Sequence, residues 1–102
     1  MQLKPGLRLE SATCDTQVVV VRAPKDGTDV DLRCGGHPLR ELGTGGERVA
    51  ITRKGEATWL GKRYADEDLG LELLCTQGGE GSLSIGDAPL PVKGAKPLPS
   101  SD

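Results

Sequence analysis

Phenylalanine is absent from this chain, and Trp59 and Tyr64 are its only aromatic residues. The core must therefore be filled by aliphatics, supplied by 14 Leu, 7 Val and 2 Ile among 102 residues. That content lies just above the level at which chains usually fail to order. Sustained helical periodicity is missing too, which excludes bundle and coiled-coil architectures. The longest apolar run, Val18–Val21, is far too short to span a bilayer. Residues Met1 to Gly6 lack the apolar stretch of a secretory signal. These absences lead us to expect a cytoplasmic protein with no membrane partner. Excess positive charge is also missing. The 13 basic and 15 acidic residues are intermixed, for a formal net charge of −2, so the basic footprint of a nucleic-acid binder is not there.

What is present is glycine, proline and short strand-like runs. Fifteen Gly and seven Pro break the chain into short pieces. Gln17–Ala23 contains four consecutive valines, which are stiff at χ1 and favour a pleated strand. A run without alternation predicts a central strand. Pro24 ends it, the cluster Lys25 to Asp29 reads as a turn, and Val30–Cys34 alternates apolar and polar, predicting a hairpin with the valine strand. Gly35 to Pro38 is a tight corner, and Leu39–Leu42 suits one helical turn. Arg48–Thr52 and Ala57–Leu60 read as paired strands, the second carrying Trp59 toward the core. Leu71–Thr76 alternates as another strand. Ser82–Ile85 and Pro89–Val92 flank Gly86-Asp87, a hairpin turn with Gly supplying positive φ, and the prolines restrict the last strand to an edge. The expected fold is one small, mainly β, antiparallel domain over residues 1–92, a partly open barrel or sandwich. Residues 93–102, with Pro and Ser and little to bury, read as a flexible, disordered tail.

The residues with chemistry to offer are three cysteines and one histidine: Cys14, Cys34, His37 and Cys75. Together they have the composition of a Cys₃His zinc site. Cys34-Gly35-Gly36-His37 has a spacing that lets two ligands close on one ion. Cys14 and Cys75 have no local partner, whereas strong zinc signatures come as two short pairs. The same cysteines read equally as small buried hydrophobes, or as a Cys14–Cys34 pair close enough to oxidise. His37 sits on a tight turn beside Cys34, a poor placement for a base serving a thiol nucleophile. The glycine loops at Gly43–Gly46 and Gly78–Gly81 lack the Lys-Ser/Thr ending of a phosphate loop. The carboxylates of Asp66-Glu67-Asp68 point in different directions and read as a solvated loop.

Residues 11–39 resemble desulforedoxin and other rubredoxin-like knuckle domains in part. Ser11-Ala-Thr-Cys14, the valine strand, and Leu32-Arg33-Cys34-Gly35-Gly36-His37-Pro38-Leu39 follow that family's order of a Cys-x-x-Cys pair, a hairpin and a second cysteine pair. Ser11 and Gly35 stand where two of the ligands would be. The resemblance therefore implies a hairpin bringing Cys14 near Cys34, without the tetrathiolate that iron would need.

Trp59, Lys62, Arg63 and Tyr64 gather both aromatics and two cations in six residues. If exposed, such a set favours protein contacts; the competing reading places Trp59 in a core that has no Phe. A lean core, a Pro-containing tail and this patch point to a non-enzymatic accessory or interaction protein. It would dock on a larger protein partner or form a homo-oligomer. The alternatives are a small structural zinc domain or a dithiol redox protein.

Overall fold

A computed structural model describes residues 1–25 and 28–93. The valine run forms β2 (Gln17–Arg22) and sits at the centre of a sheet. On one side it pairs with β1 (Arg8–Glu10) and on the other with β7 (Leu71–Gln77), both antiparallel. β5 (Arg40–Glu41) and β6 (Arg63–Asp66) complete the sheet in the order β5-β1-β2-β7-β6. A second sheet contains β3 (Leu32–Cys34), β4 (His37–Pro38), β8 (Leu83–Ile85) and β9 (Ala88–Pro89), in the order β4-β3-β8-β9. Both sheets are open and antiparallel, and no helix occurs among the described residues. The all-β, antiparallel class expected from the sequence is the one observed.

The two sheets share one core. Leu9, Val18, Val20, Leu71, Leu73 and Cys75 enter it from the first sheet, and Leu32, Cys34 and Leu83 from the second. Val18 lies opposite Cys75 and Val20 opposite Leu73, so the buried faces of β2 and β7 coincide. Tyr64 takes the aromatic place in this core.

Several local expectations are corrected. The valine strand and Val30–Cys34 do not form a hairpin, because both edges of β2 are already paired and β3 lies in the other sheet. Leu39–Leu42 is not a helical turn: Leu39 is buried, and Arg40 and Glu41 pair with Glu10 and Leu9. Arg48–Thr52 is held over neighbouring loops by single bonds, from Val49 N–H to Ala12 O (2.8 Å) and from Thr52 N–H to Gly35 O (3.0 Å), and forms no strand. The strand near Trp59 falls later, at β6, where Lys62, Arg63 and Asp66 mask the buried pair Tyr64-Ala65.

Two glycine turns behave as their chemistry requires. Gly35 and Gly36 both have positive φ (66° and 90°) and close a two-residue hairpin between β3 and β4. Gly86 (φ 57°) opens the turn between β8 and β9, as expected, and Pro89 lies on the edge strand. The expected tail falls almost wholly on residues 94–102, outside the described residues. Lys93 itself is anchored: its N–H donates to Arg63 O (2.7 Å), and its ammonium meets Glu72 Oε1 at 2.6 Å.

Glu72 is the buried charge of the first sheet, only 2% exposed. Arg63 Nη1 donates to its other oxygen at 2.9 Å. The carboxylate thus ties β6, β7 and the segment before residue 94 together. Lys93 first and Arg63 second hold its pKa below the ordinary 4.5. A depressed carboxylate pKa stabilises the fold above its unfolded value, and the contribution is lost as pH falls through the folded value. We therefore expect the melting temperature to fall in acid below about pH 4. In Glu72→Gln that acid-dependent loss should shrink and the plateau at neutral pH should lie lower, as thermal scans across pH would show.

Candidate functional site

The turn after β1 is built around one hydroxyl. Ser11 Oγ accepts the N–H groups of Thr13 (3.0 Å) and Cys14 (3.3 Å), and Ser11 N–H donates to Thr16 O (2.9 Å). This is a serine turn of the kind short hydroxyl side chains form with nearby backbone. It aims Cys14 inward, toward the end of β3, where Thr13 Oγ1 donates to Cys34 O at 3.2 Å. The Cys14 and Cys34 sulfurs lie 3.9 Å apart. Their surroundings differ. Cys34 is fully buried, whereas Cys14 is 7% exposed and lines a polar groove of about 100 Å³ with Glu10, Asp15, Arg40 and Arg48.

Three groups serve the Cys14 sulfur. The Ser11 and Thr16 hydroxyls lie 3.4 and 3.2 Å away, and Gly81 N–H donates to the sulfur at 3.3 Å. Burial acts to raise this thiol's pKa, but hydrogen bonding with Ser11 and Thr16, supported by Gly81, prevails and lowers it to about 6. Burial pushes Cys34 up to about 12, with the neighbouring Cys14 charge adding to the effect. The two surroundings therefore act in opposite directions, favouring the thiolate at Cys14 and the thiol at Cys34. Gly81 is fitted to both: a Cβ there would lie 2.8 Å from the Cys34 sulfur and 3.0 Å from the Cys14 sulfur.

The other two members of the sequence-derived metal set stand differently. Cys75 is buried on β7 and its thiol donates to Gln77 O at 3.2 Å; burial raises its pKa. His37 lies opposite Cys34 across the β3–β4 hairpin, and its Nε2 is buried without a hydrogen-bond partner. Among the described residues, no three or more His, Cys, Asp or Glu side chains are placed to share a metal ion. The structure thus brings Cys14 and Cys34 together and does not gather Cys75 and His37 with them into a four-ligand zinc site.

The aromatic–cation set also divides. Thr58 is locked to Gly79 by two backbone bonds of 3.0 Å, and its hydroxyl donates to Gly81 O at 2.7 Å. Immediately afterward the chain turns: Lys62 N–H donates to Trp59 O at 3.2 Å, and Gly61 has φ 82°. Tyr64, buried in the core, accepts Trp59 N–H on its hydroxyl at 3.0 Å. The backbone is fixed from below while the side chains of Trp59 (63% exposed) and Leu60 (69% exposed) stand outside. Lys62 is exposed beside them, and Arg63 is engaged with Glu72. Trp59 and Tyr64 line a cavity of about 370 Å³ with Lys54, Glu56, Leu90 and Pro91. Asp66, the last residue of β6, accepts Leu69 N–H at 3.1 Å and shapes the turn that follows.

Sequence reasoning missed Leu60, Ser11, Thr16 and Gly81. Leu60 had a signal in its position between Trp59 and a glycine; the others act through contacts between distant segments. No family model, curated protein or solved structure matches the chain.

Gly81→Ala tests the close packing at the sulfurs. The methyl group would force Cys14 and Cys34 apart, and overpacking of this kind costs about 1–3 kcal/mol. Urea titration should show that loss, and the Cys14 thiol should alkylate with a higher pH midpoint.

Proposed function

We propose that this chain is an accessory protein that binds a larger protein through the Trp59–Leu60 turn and the cavity beside it. The exposure of the single tryptophan carries this reading. In a chain with no Phe, that ring would be the largest available core filler, yet the fold holds it in solvent on a hydrogen-bonded turn. A Trp side chain buries roughly 150–250 Å². Covering the exposed part would contribute about 2–4 kcal/mol at ~25 cal/mol/Å², typical of a binding hot spot. Leu60 adds a second apolar anchor, and the cavity accepts an apolar side chain in return.

Charge suggests the partner's chemistry. Lys54 at the cavity and Lys62 beside the turn form no ion pair among the described residues, whereas Arg53 on the same rim is paired with Asp87 at 3.1 Å and Glu56 adds one negative charge to the lining. An apolar segment flanked by acidic residues matches that rim. A second copy of this chain is the other candidate occupant. Three unbridged cysteines fit a reducing compartment such as the cytoplasm. No helix among the described residues is long and apolar enough to cross a membrane.

Trp59→Ala and Leu60→Ala should leave unfolding free energy within about 0.5 kcal/mol of the parent, as surface substitutions do. Each should weaken partner binding by about 30-fold, the equivalent of ~2 kcal/mol. Sedimentation equilibrium of the parent and Trp59→Ala tests the second-copy occupant. A photoreactive residue at position 60, compared with one at exposed Glu67, tests a heterologous partner. A strictly monomeric parent that yields no adduct specific to position 60 would sink the reading.

A further inference from the structure

We propose that Cys14 and Cys34 form a thiol–disulfide exchange site, where Cys14 attacks a small disulfide bearing charges of both signs and Cys34 resolves the product. This goes beyond partner binding and does not depend on it. Four observations support it. The sulfurs are 3.9 Å apart, so bond formation at about 2.05 Å requires a short movement. The Ser11–Thr16 turn, outside any strand, can supply it. The groove reaches Cys14 and not the fully buried Cys34, which fixes the order of attack. Gly81 N–H donates to the Cys14 sulfur and the Thr16 hydroxyl lies 3.2 Å from it, contacts that favour a thiolate, the nucleophilic form. Cys75 is turned to Gln77 O and does not line the groove.

The groove walls suggest the substrate. Arg40 pairs with Glu10 at 2.8 Å and Arg48 with Asp15 at 2.9 Å, presenting both signs of charge around the thiol. An amino-acid-derived disulfide, with α-ammonium and carboxylate groups, complements such walls. Cystine and oxidised glutathione belong to this class. In the first step the Cys14 thiolate attacks one sulfur of the disulfide RSSR. A mixed disulfide, Cys14–S–S–R, forms, and RS⁻ leaves and takes up a proton. Cys34 then loses its proton and attacks the Cys14 sulfur. The Cys14–Cys34 bond forms and a second RS⁻ leaves, protonated in turn. The protein is oxidised by two electrons and RSSR is reduced to two RSH; one proton comes from Cys34 and the other from water, because Cys14 enters as the thiolate. The resulting bond joins the turn after β1 in one sheet to β3 in the other.

The test uses the full chain, reduced and desalted, then exposed to oxidised glutathione, acid-quenched and alkylated for peptide mass mapping. The parent should lose one H₂ and leave only Cys75 to be alkylated. Cys34→Ser should accumulate one glutathionyl adduct at Cys14, and Cys14→Ser should accumulate none. Cys75→Ser should form the bridge as the parent does. Because the buried Cys34→Ser substitution can impair folding, the parent is also alkylated while folded across pH. Cys14 should react first, with a midpoint near 6 against about 8.5 for a free thiol. Three alkylatable thiols after oxidation, a bridge that includes Cys75, or an ordinary thiol midpoint at Cys14 would overturn the assignment. So would a zinc ion retained in native mass spectrometry that shields both thiols from the oxidant.

Discussion

The antiparallel ladder between β2 and β7 is the constraint on which the rest of the structure depends. It joins residues more than fifty positions apart in sequence, such as Val18 and Cys75. Closing so long a loop costs entropy before any contact offsets it, and the apolar surfaces of Val18, Val20, Leu71 and Leu73 must supply the return. Everything else attaches to this pair. β1 and β5 extend it on one side and β6 on the other. The connections leaving β2 and β7 carry the chain to the second sheet, whose Leu32 and Leu83 close the same core. With so few large side chains, the fold relies on coincident register rather than on bulk.

The sequence revealed strands better than partners. The valine run announced a strand through χ1 stiffness and a central place through its lack of alternation, and Gly86-Asp87 announced a hairpin through positive φ; all of these are local properties. The partner of β2 is not local. A turn cluster followed by an alternating strand favours a hairpin until a third strand, here β7, occupies the edge. Arg40-Glu41 was hidden for the same reason: its strand character comes from β1, not from its own side chains. Glu72 shows the limit most clearly. Nothing in Leu-Glu-Leu-Leu distinguishes a buried, doubly paired carboxylate from a solvated one, because Arg63 and Lys93 meet it only after the sheet has formed.

The candidate sites were legible in proportion to how much they depend on residue type. Three cysteines and a histidine invited a metal reading, and proximity of Cys14 to Cys34 was one of the alternatives. The hydroxyls of Ser11 and Thr16 and the backbone of Gly81, which make those sulfurs unequal, carry no signature in composition. Trp59 was ambiguous because hydrophobicity alone favours the core. Its position is decided by neighbours: Thr58 is fastened to Gly79, Tyr64 already fills the interior, and the Gly61 turn directs the intervening side chains outward. The short segment from Gly79 to Gly81 serves both places, bonding Thr58 on one side and the Cys14 sulfur on the other.

The placement of the lone indole also determines what optical spectroscopy can see in this protein. In many domains a buried tryptophan shifts its emission to the red on denaturation, and that shift is used to follow folding. Here the indole is already largely in water in the native state, so its emission maximum has little further to move when the chain unfolds. The same fluorophore lies on the proposed docking surface, so a blue shift on adding a partner would record docking there. Unfolding of the core would instead have to be followed through the buried phenol of Tyr64, whose near-ultraviolet signal depends on the packing around it.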